Sequence, residues 1–148
     1  IQEGLKKTLW NGRLQKISNN LPLYYDVAHN SAGISVTIQT IKSVYGKMPH
    51  IVLCLKGNKE IELISSALKN KYEKLIITGS SKMKLMEAKE LAQALAKNEL
   101  NYNIEIKNDY NDAFNLLIDS ISLTNQPGII MGSHYIAKAV FDKFGIFT

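Results

Sequence analysis

The chain has 148 residues, 45% hydrophobic, 21% charged and 8% aromatic, which suffices for one core and excludes disorder, collagen and coiled coil. Eighteen Lys and Arg against 13 Asp and Glu give a net charge of +5, which raises the question of nucleic acid. The lysines are scattered among acids and Arg13 is the only arginine, whereas base readout and phosphate tracking draw on several, so the charge is read as attraction for small anions, with no nucleic-acid partner.

Apolar runs of strand length alternate with stretches of helical period, the pattern of an α/β layer fold. Leu14 to Ile17 and Leu23 to Tyr25 read as strands, and the five residues between them are too few for a parallel crossover, so this pair is predicted to be antiparallel. Ser31 to Val44 is a helix by the spacing of Ile34, Ile38 and Ile41, followed by a strand over Ile51 to Leu55. A helix over Glu60 to Leu68, a strand over Leu75 to Thr78, a helix over Leu85 to Lys97 and a strand over Asn103 to Ile106 come next. A helix over Asn111 to Ser120, the strand Gly128 to Met131 and a last helix over Tyr135 to Lys143, closed near Gly145, complete the chain. The predicted fold is a Rossmann-like three-layer α/β sandwich, spanning residues 1–148 as a single domain. Its six-stranded sheet is mostly parallel, with one antiparallel edge strand and helices on both faces.

No apolar run approaches the roughly 20 residues that cross a bilayer, and no short apolar segment follows a basic start, so no membrane partner and a cytoplasmic location are expected. The single cysteine, Cys54, lies inside a predicted strand and reads as an inert buried thiol. The first residue is Ile1 rather than Met, and with the polar opening Gln2 to Thr8 this suggests a segment cut from a longer protein or a processed product.

Open parallel sheets bind ligands beyond the carboxyl ends of their strands, where loops converge and helix amino termini point at the crevice. The segments that follow the predicted strands are Asp26-Val27-Ala28-His29-Asn30, Lys56-Gly57-Asn58-Lys59-Glu60, Gly79-Ser80-Ser81 and Gly132-Ser133-His134. The first is the densest. Its carboxylate can accept from hydroxyls or a cation and His29 can bond an anion at the helix start, although Asn30 or Ser31 could equally be a plain cap. Trp10-Asn11-Gly12-Arg13 places a lone arginine after a glycine, suited to bidentate anion capture or to a surface ion pair with Trp10 as a core anchor. Lys59 and Glu60 read as a helix start, and Gly132-Ser133 as a glycine-permitted turn whose serine caps the next helix or offers a hydroxyl to an anion. There is no G-x-x-x-x-G-K-[ST] phosphate loop, no G-x-G-x-x-G, no Cys/His metal spacing and no carboxylate cluster for magnesium.

Taken in order, Trp10-Asn11-Gly12-Arg13-Leu14, Asp26-Val27-Ala28-His29-Asn30, Lys59-Glu60 and Gly132-Ser133-His134-Tyr135 resemble the C-terminal domain of folylpolyglutamate synthase/dihydrofolate synthase, in the Mur ligase superfamily. The resemblance runs from Gly4 to about Phe141. It implies an ATP-dependent amide ligase that phosphorylates a folate or dihydropteroate carboxylate and lets the amino group of L-glutamate attack the acyl phosphate. The phosphate loop and the Mg2+ ligands would then lie mainly in an N-terminal domain absent from this sequence, and the fragment alone would be inactive. Carried over by position, Arg13 and Asp26 would contact ATP, His29 would be catalytic and help place glutamate with Ser133, and Asn30 and Lys59 would be structural. The chain departs from the family pattern at Asn11, Ser31, Asn58, Glu60 and His134. The D-x-A-H-N stretch is shared with peptidoglycan-building Mur ligases, so a peptidoglycan precursor is the alternative acceptor. A freestanding nucleotide- or anion-binding module is the alternative of another class.

Overall fold

A computed structural model describes residues 12–57 and 59–146. In chain order the elements are β1 (Gln15–Lys16), β2 (Leu23–Asp26), α1 (Ser31–Tyr45), β3 (His50–Leu53), α2 (Ile61–Leu68), β4 (Lys74–Ile77), α3 (Ala88–Lys97), β5 (Ile104–Ile106), α4 (Tyr110–Thr124), β6 (Gly128–Met131) and α5 (Ala137–Phe144). Single 3-10 turns at Ser81–Met83 and His134–Ile136 precede α3 and α5.

The strands form one six-stranded sheet in the order β1-β2-β6-β3-β4-β5. β1 is antiparallel to β2, and every other pair is parallel. Successive side chains of a strand point to opposite faces, and the core divides accordingly. Tyr24, Ile51, Leu53, Leu75, Ile77, Ile129 and Met131 pack under α1, α2 and α3. Leu23, Tyr25, Val52, Cys54, Ile76 and Ile130 pack under α4 and α5. Burying one such aliphatic side chain contributes about 1.5–3 kcal/mol of transfer free energy, which is why these strands read as unbroken apolar runs.

Connectivity explains the layering. The chain steps in one direction from β2 through β3 and β4 to β5 with α1 to α3 on one face, then α4 crosses the other face and β6 inserts between β2 and β3, as right-handed crossovers require. Gly128 opens β6 directly under α4, where an added Cβ would meet Ile121 Cδ1 at 2.4 Å. Asn30 caps α1 by accepting from the Gly33 amide at 2.8 Å, and left-handed Gly46 ends the helix with its N–H on the Lys42 carbonyl at 2.7 Å.

Several predicted boundaries move, the first strand shortening to Gln15–Lys16 and the third shifting to His50–Leu53, and three of the helix boundaries have a local cause. Leu85 is not the first residue of α3: left-handed Lys84 turns the chain, and Leu85 is buried on the α4 and α5 face. α4 continues past Ser120 to Thr124, because the Ser120 hydroxyl donates back to the Leu116 carbonyl at 2.8 Å and the Thr124 hydroxyl to the Ser120 carbonyl at 2.7 Å. The last helix begins as a 3-10 turn at His134 and becomes α-helical at Ala137. Trp10 and Asn11 lie outside the described residues, as does Asn58. No helix among the described residues is long and apolar enough to cross a membrane.

Candidate functional site

Asp26, Met131, Leu53 and Ile77 end β2, β6, β3 and β4 and stand in register across the sheet. The segments that follow them therefore leave one common rim. The outgoing chains of β2 and β3 pass to the α1 to α3 face and that of β6 to the α5 face, so the connections diverge on both sides of β6, and an open α/β sheet forms its crevice at such a divergence.

Asp26 organises the β2 side. Its carboxylate is buried and accepts from the Ala28 amide through Oδ1 at 2.7 Å and from the Leu14 amide through Oδ2 at 3.0 Å. The Val27 amide donates to the Gly12 carbonyl at 2.7 Å, so the Gly12-Arg13-Leu14 loop is fastened to the Asp26-to-Asn30 loop from both directions. Gly12 has φ +80 and its added Cβ would lie 2.8 Å from Val27 Cγ1. Both the conformation and the close approach require glycine there. Arg13 is exposed at the mouth of a cavity of about 420 Å³ that Leu14, Asp26, Ala28, Gly33 and Thr37 also line.

His29 is exposed beside this loop, with Nδ1 3.1 Å from the Val27 carbonyl. A carbonyl only accepts, so Nδ1 carries the proton and Nε2 of the neutral ring is an acceptor directed away from that bond. The Ser31 hydroxyl donates to Glu60 Oε1 at 3.3 Å, joining the start of α1 to the start of α2. Glu60 holds φ 61 and ψ 21 and its side chain makes no cap of α2. Lys59 is exposed in the turn before it.

On the β6 side, Ser133 is buried and its Oγ accepts from the Tyr135 amide at 3.0 Å, while its carbonyl accepts from the Tyr25 hydroxyl at 2.9 Å. Gly132 has φ +118, and a Cβ would lie 1.8 Å from the Cys54 carbonyl oxygen, so the backbones of the loops after β6 and β3 meet there with no room for a side chain. Burial pushes the Cys54 thiol up to about 12, which leaves it protonated and unreactive.

Arg13, Asp26, His29, Asn30, Lys59 and Ser133 thus lie along one edge of the sheet, bridged by Asp26, by Ser31 with Glu60 and by Tyr25 with Ser133. Strand periodicity places Tyr25 in the core, where it lies, but does not reveal that its hydroxyl reaches the Ser133 carbonyl, nor that Lys84, beyond Gly79-Ser80-Ser81, comes to the rim. The register of β4 and the 3-10 turn return Lys84 to the rim. Among the described residues no group of three or more His, Cys, Asp or Glu could hold a metal ion.

Residues 12–134 match the family described as Mur ligase, glutamate ligase domain. The dihydrofolate synthase/folylpolyglutamate synthase of Bacillus subtilis (strain 168) is 32% identical over 77 residues, 51% of this chain and 15% of that protein. The folylpolyglutamate synthase of Lacticaseibacillus casei is 25% identical over 142 residues, 95% of this chain and 31% of that protein. A solved structure of Mycobacterium tuberculosis folylpolyglutamate synthase complexed with ADP has the same fold. It superposes with a TM-score of 0.77 at 24% identity, over 93% of this chain and 33% of that one. The chain spans about a third or less of the length of these relatives.

Proposed function

Because this chain belongs to the Mur ligase family as its glutamate ligase domain, we propose that it forms one wall of the active cleft of an ATP-dependent ligase that adds L-glutamate to a folate or dihydropteroate carboxylate. The observation that carries this reading is the Asp26 carboxylate, which joins the Gly12-Arg13-Leu14 loop to the Asp26-to-Asn30 loop through the Leu14 and Ala28 amides. The relatives matched are named as folate ligases, which favours a folate over a peptidoglycan precursor as acceptor.

In the proposed reaction an acceptor carboxylate oxygen attacks the γ-phosphorus of ATP and ADP leaves. The glutamate amino group then attacks the acyl phosphate carbon, phosphate leaves, and an amide remains. This wall contributes positioning and charge neutralisation. Arg13 offers a planar guanidinium to phosphate oxygens. Each Asp26 oxygen accepts from one amide, which fixes the Arg13 loop and leaves further lone pairs of the carboxylate for the nucleotide. His29 Nε2 accepts a hydrogen bond from the glutamate amino group and takes its proton as the new bond forms. Ser133 uses a lone pair in its cap and keeps its hydroxyl hydrogen for a glutamate carboxylate. Asn30 caps the start of α1, and Lys59 stands in the turn before α2. Magnesium does not fit this wall, since Asp26 has no second carboxylate or histidine beside it among the described residues, and its ligands are assigned to the rest of the polypeptide, as are most folate contacts.

The test is ADP release by the intact polypeptide that carries this segment, with ATP, L-glutamate and a pteroate or folate supplied together and singly. Release that requires both co-substrates supports the reading. Turnover by the 148 residues alone would refute the division of labour.

A further inference from the structure

The crevice on the other side of β6, between β6 and β3, holds charge that the reaction as described does not use. Lys56 follows β3, Tyr135 follows β6, and Lys84 arrives from the loop after β4. Lys56 Nζ lies 5.4 Å from the Tyr135 ring centroid and Lys84 Nζ 5.8 Å from it, both within cation–π range. Among the described residues neither lysine forms an ion pair, since the salt bridges there join Lys69 to Glu99, Lys74 to Glu105 and Lys138 to Asp142. Two ammonium groups gathered at one ring repel each other unless an anion joins them.

The arrangement is also built at a cost in backbone conformation. Lys84 holds φ 59 and ψ 29, a left-handed conformation disfavoured for any side-chain-bearing residue. It is kept there because its amide donates to the Ser81 carbonyl at 3.0 Å, and the Met86 amide donates to the Leu55 carbonyl at 2.8 Å. Gly79 permits that approach, since a Cβ would lie 2.2 Å from the Met86 carbonyl oxygen. The loop bearing Lys84 is therefore fastened to the end of β3, beside Lys56.

We propose that Lys56 and Lys84, set around Tyr135, form a subsite for the carboxylates of an oligoglutamyl chain carried by the acceptor. This rests on the glutamate-ligase reading above. Each ligation leaves a product with one more carboxylate than its substrate, so an acceptor that has already been extended presents anions in series, separated by methylenes. Lys56 comes from the loop after β3 and Lys84 from the loop after β4, and both converge on the ring of Tyr135, two residues beyond Ser133. The Tyr135 ring gives the methylenes an apolar surface between them. Lysine suits a tail of variable length, because its compact charge rides on a flexible stem and does not demand the fixed geometry of a bidentate pair.

The test compares acceptors with one and with three γ-linked glutamyl residues in the intact polypeptide, wild type against Lys56→Gln and Lys84→Gln. Each substitution is expected to raise KM for the triglutamyl acceptor roughly three- to tenfold, with the monoglutamyl acceptor, ATP and glutamate within about twofold. Lys84→Arg restores tail selectivity. Lys84→Gly relieves the left-handed strain, so it keeps or raises the unfolding midpoint while losing the selectivity, a combination that a merely structural lysine would not give. Equal losses on both acceptors, no loss, or a loss expressed in KM for ATP overturn the proposal. Calorimetric binding of free γ-triglutamate, with inorganic triphosphate as competitor, separates the sources of negative charge. Lysine-dependent binding of the peptide supports the subsite even if no ADP is released, which would count against the ligase reading alone. Displacement by triphosphate at equal concentration makes this a phosphate site and overturns the assignment.

Discussion

The buried Tyr25 hydroxyl donates to the Ser133 carbonyl at 2.9 Å, tying strand β2 to the loop that follows β6. The Tyr25 ring meets Phe141 of α5 edge-on at 5.8 Å between centroids, so core packing aims the hydroxyl and the hydroxyl fixes the loop. Burial, assisted by nearby Cys54 and Asp26, holds the phenol above its usual range, so it keeps the proton that it donates at neutral pH. Tyr25→Phe keeps the ring and removes the bond that ties the strand to the loop, while the Ser133 carbonyl keeps its place at the start of the 3-10 turn. It is expected to cost about 0.5–1.5 kcal/mol in denaturant unfolding and to raise KM for glutamate more than KM for ATP in the intact polypeptide.

Asp26→Asn replaces an acceptor-only group by one whose NH2 confronts either the Leu14 or the Ala28 amide. Losing one charged acceptor at a buried position is expected to cost about 1.5–3 kcal/mol. With Arg13 no longer held in place, KM for ATP rises with the fold intact by circular dichroism. Unchanged KM for ATP would separate Asp26 from the nucleotide.

Gly132→Ala adds a Cβ 1.8 Å from the Cys54 carbonyl oxygen at a φ of +118. Backbone faces backbone, so no side chain can yield. A loss of roughly 2–4 kcal/mol is expected in urea unfolding, with Gly132→Ala at least as damaging as Tyr25→Phe. A smaller effect would mean that the loops after β6 and β3 are not in contact.

His50 begins β3 at the opposite end of the sheet, buried, with Nε2 2.7 Å from Thr124 Oγ1 and no partner for Nδ1 among the described residues. Burial, partly opposed by Glu73, holds its pKa below the usual value. The unfolded chain therefore takes up the proton first as pH falls, and stability declines below about pH 6.5, the ordinary histidine value. Unfolding free energies measured from pH 7.5 to 5.5 should fall in the wild type and fall less in His50→Gln. Parallel profiles would remove His50 as the cause.

The two-faced sheet was legible in the sequence because its four inner strands are apolar runs bounded by turns, and because Ile34, Ile38 and Ile41 or Leu91 and Leu95 keep helical spacing. The rim was legible for Asp26, His29 and Ser133, which stand at a strand end or within three residues of one. Boundaries were less so. Leu85 has the spacing of an α3 residue, and only the left-handed Lys84 sends it to the other face. Ser120 looked like a stop because serine competes for backbone hydrogen bonds, yet within α4 it bonds back to Leu116 and the helix continues. The Lys56, Lys84 and Tyr135 gathering depends on the order β6-β3-β4, which periodicity does not encode.

Arg13→Ala in the intact polypeptide is the most direct examination of the claim that these loops close one active cleft. Wild type should release ADP only when glutamate and a folate or pteroate are both present, and the variant should show KM for ATP raised roughly tenfold or more, the loss of one charge-assisted contact. ADP release that ignores glutamate, or that is unaffected by removing Arg13, would contradict it.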